Sequence, residues 1–134
     1  MKKSDILTEK RLRHLEEFVA EITIADLKRK INNGEKFILI DVSHREDFNK
    51  SHLEGAVNLN LGVISESAEI QFHKYQQIIV TCQNADSIAG KRAVQLLQRA
   101  GFTNALLLKG GKQDWQNAGL PILEFTEDTN SSDE

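Results

Sequence analysis

Short runs of apolar residues, separated by segments with a helical pattern, are the feature that most constrains how this chain folds. Residues 37–42 are apolar except for Asp41, and residues 78–81 are apolar except for Thr81. Runs of this length and character are typical of strands buried on both faces, as in a parallel sheet. Residues 56–59 and 105–108 are two further strand candidates.

The segments between these runs predict helices. Thr23 and Asp26 have the spacing of a capping box, and Asn33-Gly34 provides a stop for the helix that follows. Residues 90–100 place an apolar stripe on one helical face, and Gly101 ends it. Shorter helices are expected at residues 45–50 and 113–117, with a loop and an irregular helix around 67–75. Strands that alternate with helices predict an α/β fold, a parallel sheet with helices on both faces.

The chain of 134 residues suits one domain with two flanking segments. We expect a helix over residues 4–19, within an N-terminal extension at 1–20, that packs on the domain edge or on a partner protein. The domain itself is expected at residues 21–123. Residues 124–134 contain five acids and no Lys or Arg, which predicts a disordered acidic tail.

Composition argues against several classes of function. Without the acidic tail the chain has a small basic excess, which gives no support for nucleic-acid binding. No apolar stretch reaches the roughly 18 residues that a membrane span needs, and the N-terminus lacks the apolar core of a secretory signal. One Cys and four His without ligand spacing predict neither a metal site nor a cofactor. A lone cysteine fits a reducing compartment, so we expect a cytoplasmic protein.

That cysteine, Cys82, follows the apolar run at 78–81 and precedes the helix at 90–100. The loop after it is rich in small and polar residues: Gln83, Asn84, Ala85, Asp86, Ser87, Ile88, Ala89 and Gly90. Ligands of α/β sheets bind beyond the carboxyl ends of the strands, and the amides at a helix start stabilise an anion. This position therefore favours a thiolate or a persulfide on Cys82. The alternative is an inert cysteine at a strand end, and strand-loop-helix context alone leaves both open.

Four landmarks in order along residues 21–123 resemble the rhodanese family of sulfurtransferases. They are Asp41-Val42-Ser43 followed by Arg45, Asp47 and Phe48; Ser51-His52-Leu53-Glu54-Gly55-Ala56-Val57-Asn58; Cys82 after an apolar strand; and Lys109-Gly110-Gly111 with Trp115. The corresponding family elements are Asp-Val-Arg with a following Glu and aromatic residue, Gly-His-Ile-x-Gly-Ala-x-Asn, the catalytic cysteine, and Gly-Gly-x-x-x-Trp.

The resemblance implies a five-stranded parallel sheet and a persulfide cycle. Cys82 would take sulfane sulfur from a small donor such as thiosulfate or polysulfide, or from a persulfide-bearing protein, and pass it to a thiol or another nucleophile. Asp41 and His52 would be structural or orienting residues. No cofactor is implied.

The loop after Cys82 departs from the family pattern Cys-x-x-Gly-x-Arg. Ala85 stands at the Gly position and Ser87 at the Arg position, while Asp86 would oppose an anion if it faced the site. Lys91 and Arg92 are candidates to supply the missing positive charge, or else a solvated surface pair.

The departure keeps two alternatives open beside the sulfurtransferase. One is a rhodanese-fold binding or regulatory module with little turnover. The other, more distant, is a related phosphatase. A phosphatase loop requires an Arg to clamp the phosphate, and the matching position here is Ile88.

Overall fold

The fold begins with an edge strand and a capped helix. A computed structural model describes residues 19–84 and 88–125. Strand β1 is Glu21–Ile22 and helix α1 is Ile24–Asn32. Thr23 caps α1 by accepting a hydrogen bond of 3.0 Å from the Asp26 N–H, and Gly34 takes the left-handed φ of 69° just after the helix. The cap and the stop predicted for this helix are confirmed.

Five strands form one parallel sheet. Besides β1 they are β2 (Ile38–Asp41), β4 (Val57–Asn58), β5 (Ile78–Thr81) and β6 (Ala105–Leu108). The order across the sheet is β1-β6-β5-β2-β4, and every neighbouring pair is parallel. The expected parallel sheet of five strands is therefore confirmed. Strand β1 was not among the apolar runs because it has only two residues and one of them is charged.

Helices cover both faces of the sheet, as expected. In chain order after α1 they are α2 (Arg45–Lys50), α3 (Ile64–Gln71), α4 (Ala89–Arg99) and α5 (Lys112–Ala118). Helices α3 and α4 pack on one face through Ile64 and Leu97, which are fully or almost fully buried. Helices α1 and α5 pack on the other face through Leu27 and Trp115.

The segment at residues 61–76 differs from its prediction. A helix was expected around residues 67–75, but a 3-10 turn at Leu61–Val63 leads directly into α3, which ends at Gln71. The Asn60 side chain starts this turn early by accepting a hydrogen bond of 2.7 Å from the Gly62 N–H. Ile64 and Ala68, one helical turn apart, then bury the inner face of α3.

A small antiparallel ribbon lies beside the main sheet. It pairs β3 (Ser51–Leu53) with β7 (Ile122–Glu124). Glu124, which the sequence placed at the start of the acidic tail, is paired with Ser51, and the Phe125 N–H donates to the Lys50 carbonyl at 2.7 Å. The remaining tail, residues 126–134, lies outside the described residues.

The helix expected over residues 4–19 lies almost entirely outside the described residues, which begin at residue 19. Val19 and Ala20 are not helical. The Ala20 carbonyl accepts a hydrogen bond of 2.9 Å from the Leu107 N–H, which continues the pairing of β1 with β6. Over residues 19–84 and 88–125, no helix combines the length and the apolar character needed to cross a membrane.

Candidate active site

A cleft opens where the neighbouring strands β2 and β5 end. Strand β5 ends at Thr81 and is followed by Cys82, and the neighbouring β2 ends at Asp41 and is followed by Val42 and Ser43. The cleft measures about 590 Å³. The residues that line it are Val42, Ser43, His44, Asp47, Asn60, Leu61, Cys82, Gln83, Asn84, Ala89 and Lys112. It therefore lies at the carboxyl edge of the sheet, where the sequence placed the Cys82 site.

Cys82 is half-buried, with its side chain between the core and the cleft. The Ser43 Oγ lies 4.0 Å from the Cys82 Sγ. The same oxygen accepts a hydrogen bond of 2.9 Å from the N–H of Gln83. The ends of β2 and β5 are therefore joined by a serine hydroxyl that faces the sulfur.

Gln83 braces the loop from both its side chain and its backbone. The Nε2 donates to the Ser51 carbonyl at 2.8 Å and to the Asp47 carbonyl at 3.2 Å. The Gln83 carbonyl accepts a hydrogen bond of 2.9 Å from the N–H of Lys112. The residue after Cys82 is thus tied to the α2–β3 junction and to the start of α5.

Asp41 is fully buried at the end of β2. Its Oδ1 accepts a hydrogen bond of 2.8 Å from the Ser43 N–H. Burial raises the pKa of the Asp41 carboxyl, and the bonds to Ser43, the Gln83 amide dipole and the charge on His52 offset this only in part. Both Gln83 amide hydrogens are directed at main-chain carbonyls, so they leave the Asp41 Oδ2 without a hydrogen bond among the described residues. Asp41 thus fixes the backbone of Ser43 and does not reach the cleft.

His52 lies away from the cleft and packs on α2. Its Nδ1 is 2.7 Å from the carbonyl of Phe48. The two rings stack with centroids 3.8 Å apart and planes 6° apart. This placement gives His52 contacts within the α2–β3 unit, and it is not among the residues that line the cleft.

Of the eight residues predicted for the loop after Cys82, Gln83, Asn84 and Ile88 are described as loop, whereas Ala89 and Gly90 already belong to the first turn of α4. The other three predicted loop residues, Ala85, Asp86 and Ser87, lie outside the described residues. Asn84 is exposed and Ile88 is 75% exposed, whereas Gly90 is buried. A Cβ on Gly90 would stand 2.8 Å from the Leu107 Cδ1, so the first turn of α4 lies directly against β6.

Comparison with known proteins identifies the family. A model of the rhodanese-like domain matches residues 23–118. The chain belongs to the rhodanese-like family. It is 30% identical over 107 residues to the uncharacterized protein YibN of Escherichia coli, covering 78% of this chain and 73% of that protein.

Two further similarities bear on the domain. The thiosulfate sulfurtransferase GlpE of Actinobacillus succinogenes is 30% identical over 88 residues, which covers 66% of this chain and 77% of that enzyme. The solution structure of a rhodanese-like domain from Anabaena superposes with a TM-score of 0.73 at 28% identity, covering 82% of this chain and 83% of that domain. The family that the sequence landmarks resembled is therefore confirmed.

Lys112 is the one Lys or Arg among the described residues that line the cleft of this rhodanese-like domain. Lys91 and Arg92 stand on the first turn of α4, and neither is among the residues that line the cleft. Lys112, at the start of α5, lines it instead. The Lys112 N–H donates a hydrogen bond of 2.9 Å to the Gln83 carbonyl, a contact between distant segments that brings the start of α5 beside the loop after Cys82.

Sequence reasoning also missed the proximity of Ser43 to Cys82. The signal was present in the order of the strands: in a parallel sheet, residues that follow neighbouring strands meet at one edge. Asp41 is paired with Thr81, so Ser43 and Gln83 lie the same distance beyond their strands. Predicting the proximity of Ser43 to Cys82 required knowing that β2 and β5 are neighbours in the sheet.

Within residues 19–84 and 88–125, no three His, Cys, Asp or Glu side chains come together as a metal site would require. The polar residues that line the cleft instead carry hydroxyl, amide, imidazole, ammonium and carboxylate groups. Such a set suits binding and orienting a polar or anionic group next to the Cys82 sulfur.

Proposed function

We propose that this rhodanese-like domain is a sulfurtransferase that carries sulfane sulfur as a persulfide on Cys82. The observation that carries the proposal is the position of Cys82, half-buried after β5 and open to the cleft at the carboxyl edge of the sheet. A nucleophile there is accessible from the cleft and lies beside the first turn of α4, where a Cβ on Gly90 would stand 3.7 Å from the Cys82 Cβ. The resemblance to an enzyme named thiosulfate sulfurtransferase supports the same chemistry.

The proposed reaction has two half-reactions. With thiosulfate as donor, the Cys82 thiolate attacks the sulfane sulfur, the sulfur–sulfur bond of the donor breaks, and sulfite leaves with the electron pair. In the second half-reaction, an acceptor thiolate attacks the outer sulfur of the persulfide. The bond between the two sulfurs of the persulfide breaks, and Cys82 leaves as a thiolate. The sulfane sulfur keeps its oxidation level, so the cycle needs no oxidant or reductant.

The cleft favours a sulfur donor that is larger or less charged than thiosulfate. Besides Cys82, the residues with ionisable side chains among the described lining residues are His44, Lys112 and Asp47. A dianionic donor gains little from a lining in which a carboxylate offsets the positive charge. A volume of about 590 Å³ lies in the range of pockets that hold organic ligands. We therefore propose a persulfide-bearing protein as the donor ahead of the small anions thiosulfate and polysulfide, and a thiol as the acceptor.

Intact-mass measurement tests the proposal directly. The chain has one cysteine, so a sulfane adduct that is reversed by a thiol reports on Cys82 alone. The protein is incubated separately with thiosulfate, polysulfide and a persulfidated carrier protein, and the mass gain is compared with that of Cys82→Ser. We expect one added sulfur on the native protein, faster than on the same chain unfolded in urea, and none on the variant. No adduct with any of the three donors would rule out the sulfurtransferase.

A binding or regulatory module is the second candidate function. The specific observation in its favour is that Lys112 is the one Lys or Arg among the described residues that line the cleft. In such a module Cys82 accepts sulfur slowly, and the adduct persists in the presence of thiols. Turnover distinguishes the two candidates: repeated release of sulfur to an acceptor thiol supports the enzyme, and an adduct that forms no faster than on the unfolded chain supports the module.

A further inference from the structure

We propose that the hydroxyl of Ser43 donates a hydrogen bond to the Cys82 sulfur and stabilises the thiolate that leaves when the persulfide is discharged. This inference deepens the proposed function and rests on it. It assigns a role in the reaction to a side chain on a strand other than the one that carries the cysteine. Ser43 also stands where the family element Asp-Val-Arg has its arginine, so the contact is a feature of this chain.

The direction of the hydrogen bond follows from the neighbours of the hydroxyl. The Ser43 Oγ accepts from the Gln83 N–H at 2.9 Å, which occupies an acceptor position of the oxygen. The Cys82 Sγ, at 4.0 Å, is on the donor side of the hydroxyl. A neutral thiol offers a weak acceptor at that distance, whereas a thiolate attracts the hydrogen strongly. The contact therefore gains strength as negative charge develops on the sulfur.

Ser43 is held in place by groups other than the sulfur. Its N–H donates to the Asp41 Oδ1 at 2.8 Å, and its carbonyl accepts from the Asn58 Nδ2 at 3.0 Å. The Asn58 Nδ2 also donates to the Asp41 carbonyl at 2.9 Å. A donor fixed before the reaction stabilises developing charge without the cost of reorganisation.

The two half-reactions depend on this hydrogen bond in opposite ways. During discharge the acceptor attacks the outer sulfur, and the electron pair of the broken bond moves to the Cys82 Sγ, which Ser43 contacts. A more stable leaving thiolate leaves faster. During loading the same bond raises the fraction of Cys82 present as thiolate, but it also lowers the nucleophilicity of each thiolate. At a pH where the cysteine is fully ionised, only the lowered nucleophilicity of the thiolate remains.

The test compares Ser43→Ala with the native protein in two measurements. In the first, the rate of alkylation by iodoacetamide is measured against pH. We expect the midpoint of the profile to rise by about one pH unit, and the plateau rate at high pH to increase about two- to threefold. In the second, protein loaded with one sulfur is mixed with excess thiol. We expect its discharge to slow about threefold or more.

The controls separate the hydrogen bond from a displaced loop. Ser43→Thr keeps a hydroxyl and should restore the native midpoint, and Ser65→Ala, the same change on α3, should leave both measurements unchanged. If Ser43→Ala only displaces the loop, the plateau rate and the discharge rate should both fall and the midpoint should not change. That outcome, or an alkylation profile of Ser43→Ala equal to that of the native protein, overturns the proposal.

The alkylation measurement uses no sulfur donor, so failure of the proposed function is a separate result. If the native protein takes up no sulfur but the Ser43→Ala profile shifts as expected, the sulfurtransferase is ruled out and the contact between Ser43 and Cys82 stands.

Discussion

Asp41 and Thr81 occupy paired positions on the neighbouring strands β2 and β5 and present their side chains to the same face of the sheet. Both are fully buried. Neither the Asp41 Oδ2 nor the Thr81 Oγ1 has a hydrogen-bond partner within the described part of the chain. A buried polar atom without a partner costs about 1–3 kcal/mol. The strand ends that position Ser43 and Cys82 therefore carry a local destabilisation, and each of the two residues leads to a prediction.

The charge of Asp41 should make stability depend on pH in a defined direction. Burial raises the pKa of this carboxyl above its ordinary value of 3.8, so the unfolded chain ionises first as pH rises. Below the ordinary value both states are protonated. Between the ordinary and the raised value the folded state binds more protons, and stability falls as pH rises. Above the raised value the loss of stability is complete and no longer changes with pH.

The variant Asp41→Asn isolates this effect, because Asn keeps an oxygen for the Ser43 N–H and carries no charge. Urea unfolding of both proteins from about pH 4 to pH 8 measures the difference. We expect the native protein to lose stability relative to Asp41→Asn as pH rises across that window. A difference that is independent of pH contradicts the prediction, and one that grows in favour of the native protein reverses its sign.

Thr81→Val should make the protein more stable. Val has nearly the shape of Thr, and it replaces a buried hydroxyl that has no partner by a methyl group, which favours the folded state by about 1–2 kcal/mol. Chemical denaturation measures the change. Thr103→Val, at an exposed position in the turn before β6, is the control and should change stability by less than about 0.5 kcal/mol. A destabilised Thr81→Val would mean that the hydroxyl is hydrogen-bonded in solution.

The sequence predicted the inner strands better than the edges, for a physical reason. Strands β5 and β6 matched their predicted runs from end to end, because each is an apolar run ended by residues that favour turns or loops. Strands β1, β3 and β7 have two or three residues, and pairing with distant segments decides their existence. No local pattern carries that information.

The candidate site shows the same division between features set by local sequence and features set by distant contacts. The position of Cys82 at a strand end could be predicted from the sequence, because it depends only on the residues that flank it. Ser43 and Lys112 reach the cleft through contacts between β2, β5 and α5, which lie far apart along the chain. The position of Cys82 was therefore predictable from local sequence, whereas its neighbours required the order of the strands.

Gln83→Ala should destabilise the protein by about 1–3 kcal/mol, because it removes the donor to two main-chain carbonyls at a half-buried position. Gln113→Ala is the matched control. Gln113 makes one exposed hydrogen bond, to Asn117, and its substitution should change stability by less than about 0.5 kcal/mol. Urea denaturation of both variants measures the difference. Equal effects would show that the brace does not stabilise the loop.

Gly90 provides a prediction whose sign depends on one neighbour. Gly90 lies in the first turn of α4, and a Cβ there would stand 2.8 Å from the Leu107 Cδ1 and 3.7 Å from the Cys82 Cβ. Gly90→Ala alone should destabilise the protein by about 1–3 kcal/mol, because the crowded Leu107 side chain must shift. In a Leu107→Ala background the clashing methyl is absent. There the same substitution should stabilise the protein by up to about 1 kcal/mol, the ordinary preference of a helix for Ala over Gly.

A double-mutant cycle with the four proteins measures this coupling by urea denaturation. A Gly90→Ala effect that is the same in both backgrounds would show that Leu107 does not set the approach of α4. Because α4 begins eight residues after β5 and its first turn passes beside Cys82, the cycle also tests why this first turn contains a glycine. If the coupling is found, glycine at position 90 is required by the closeness of the helix to β6, and the loop is held against the sheet by packing as well as by Gln83.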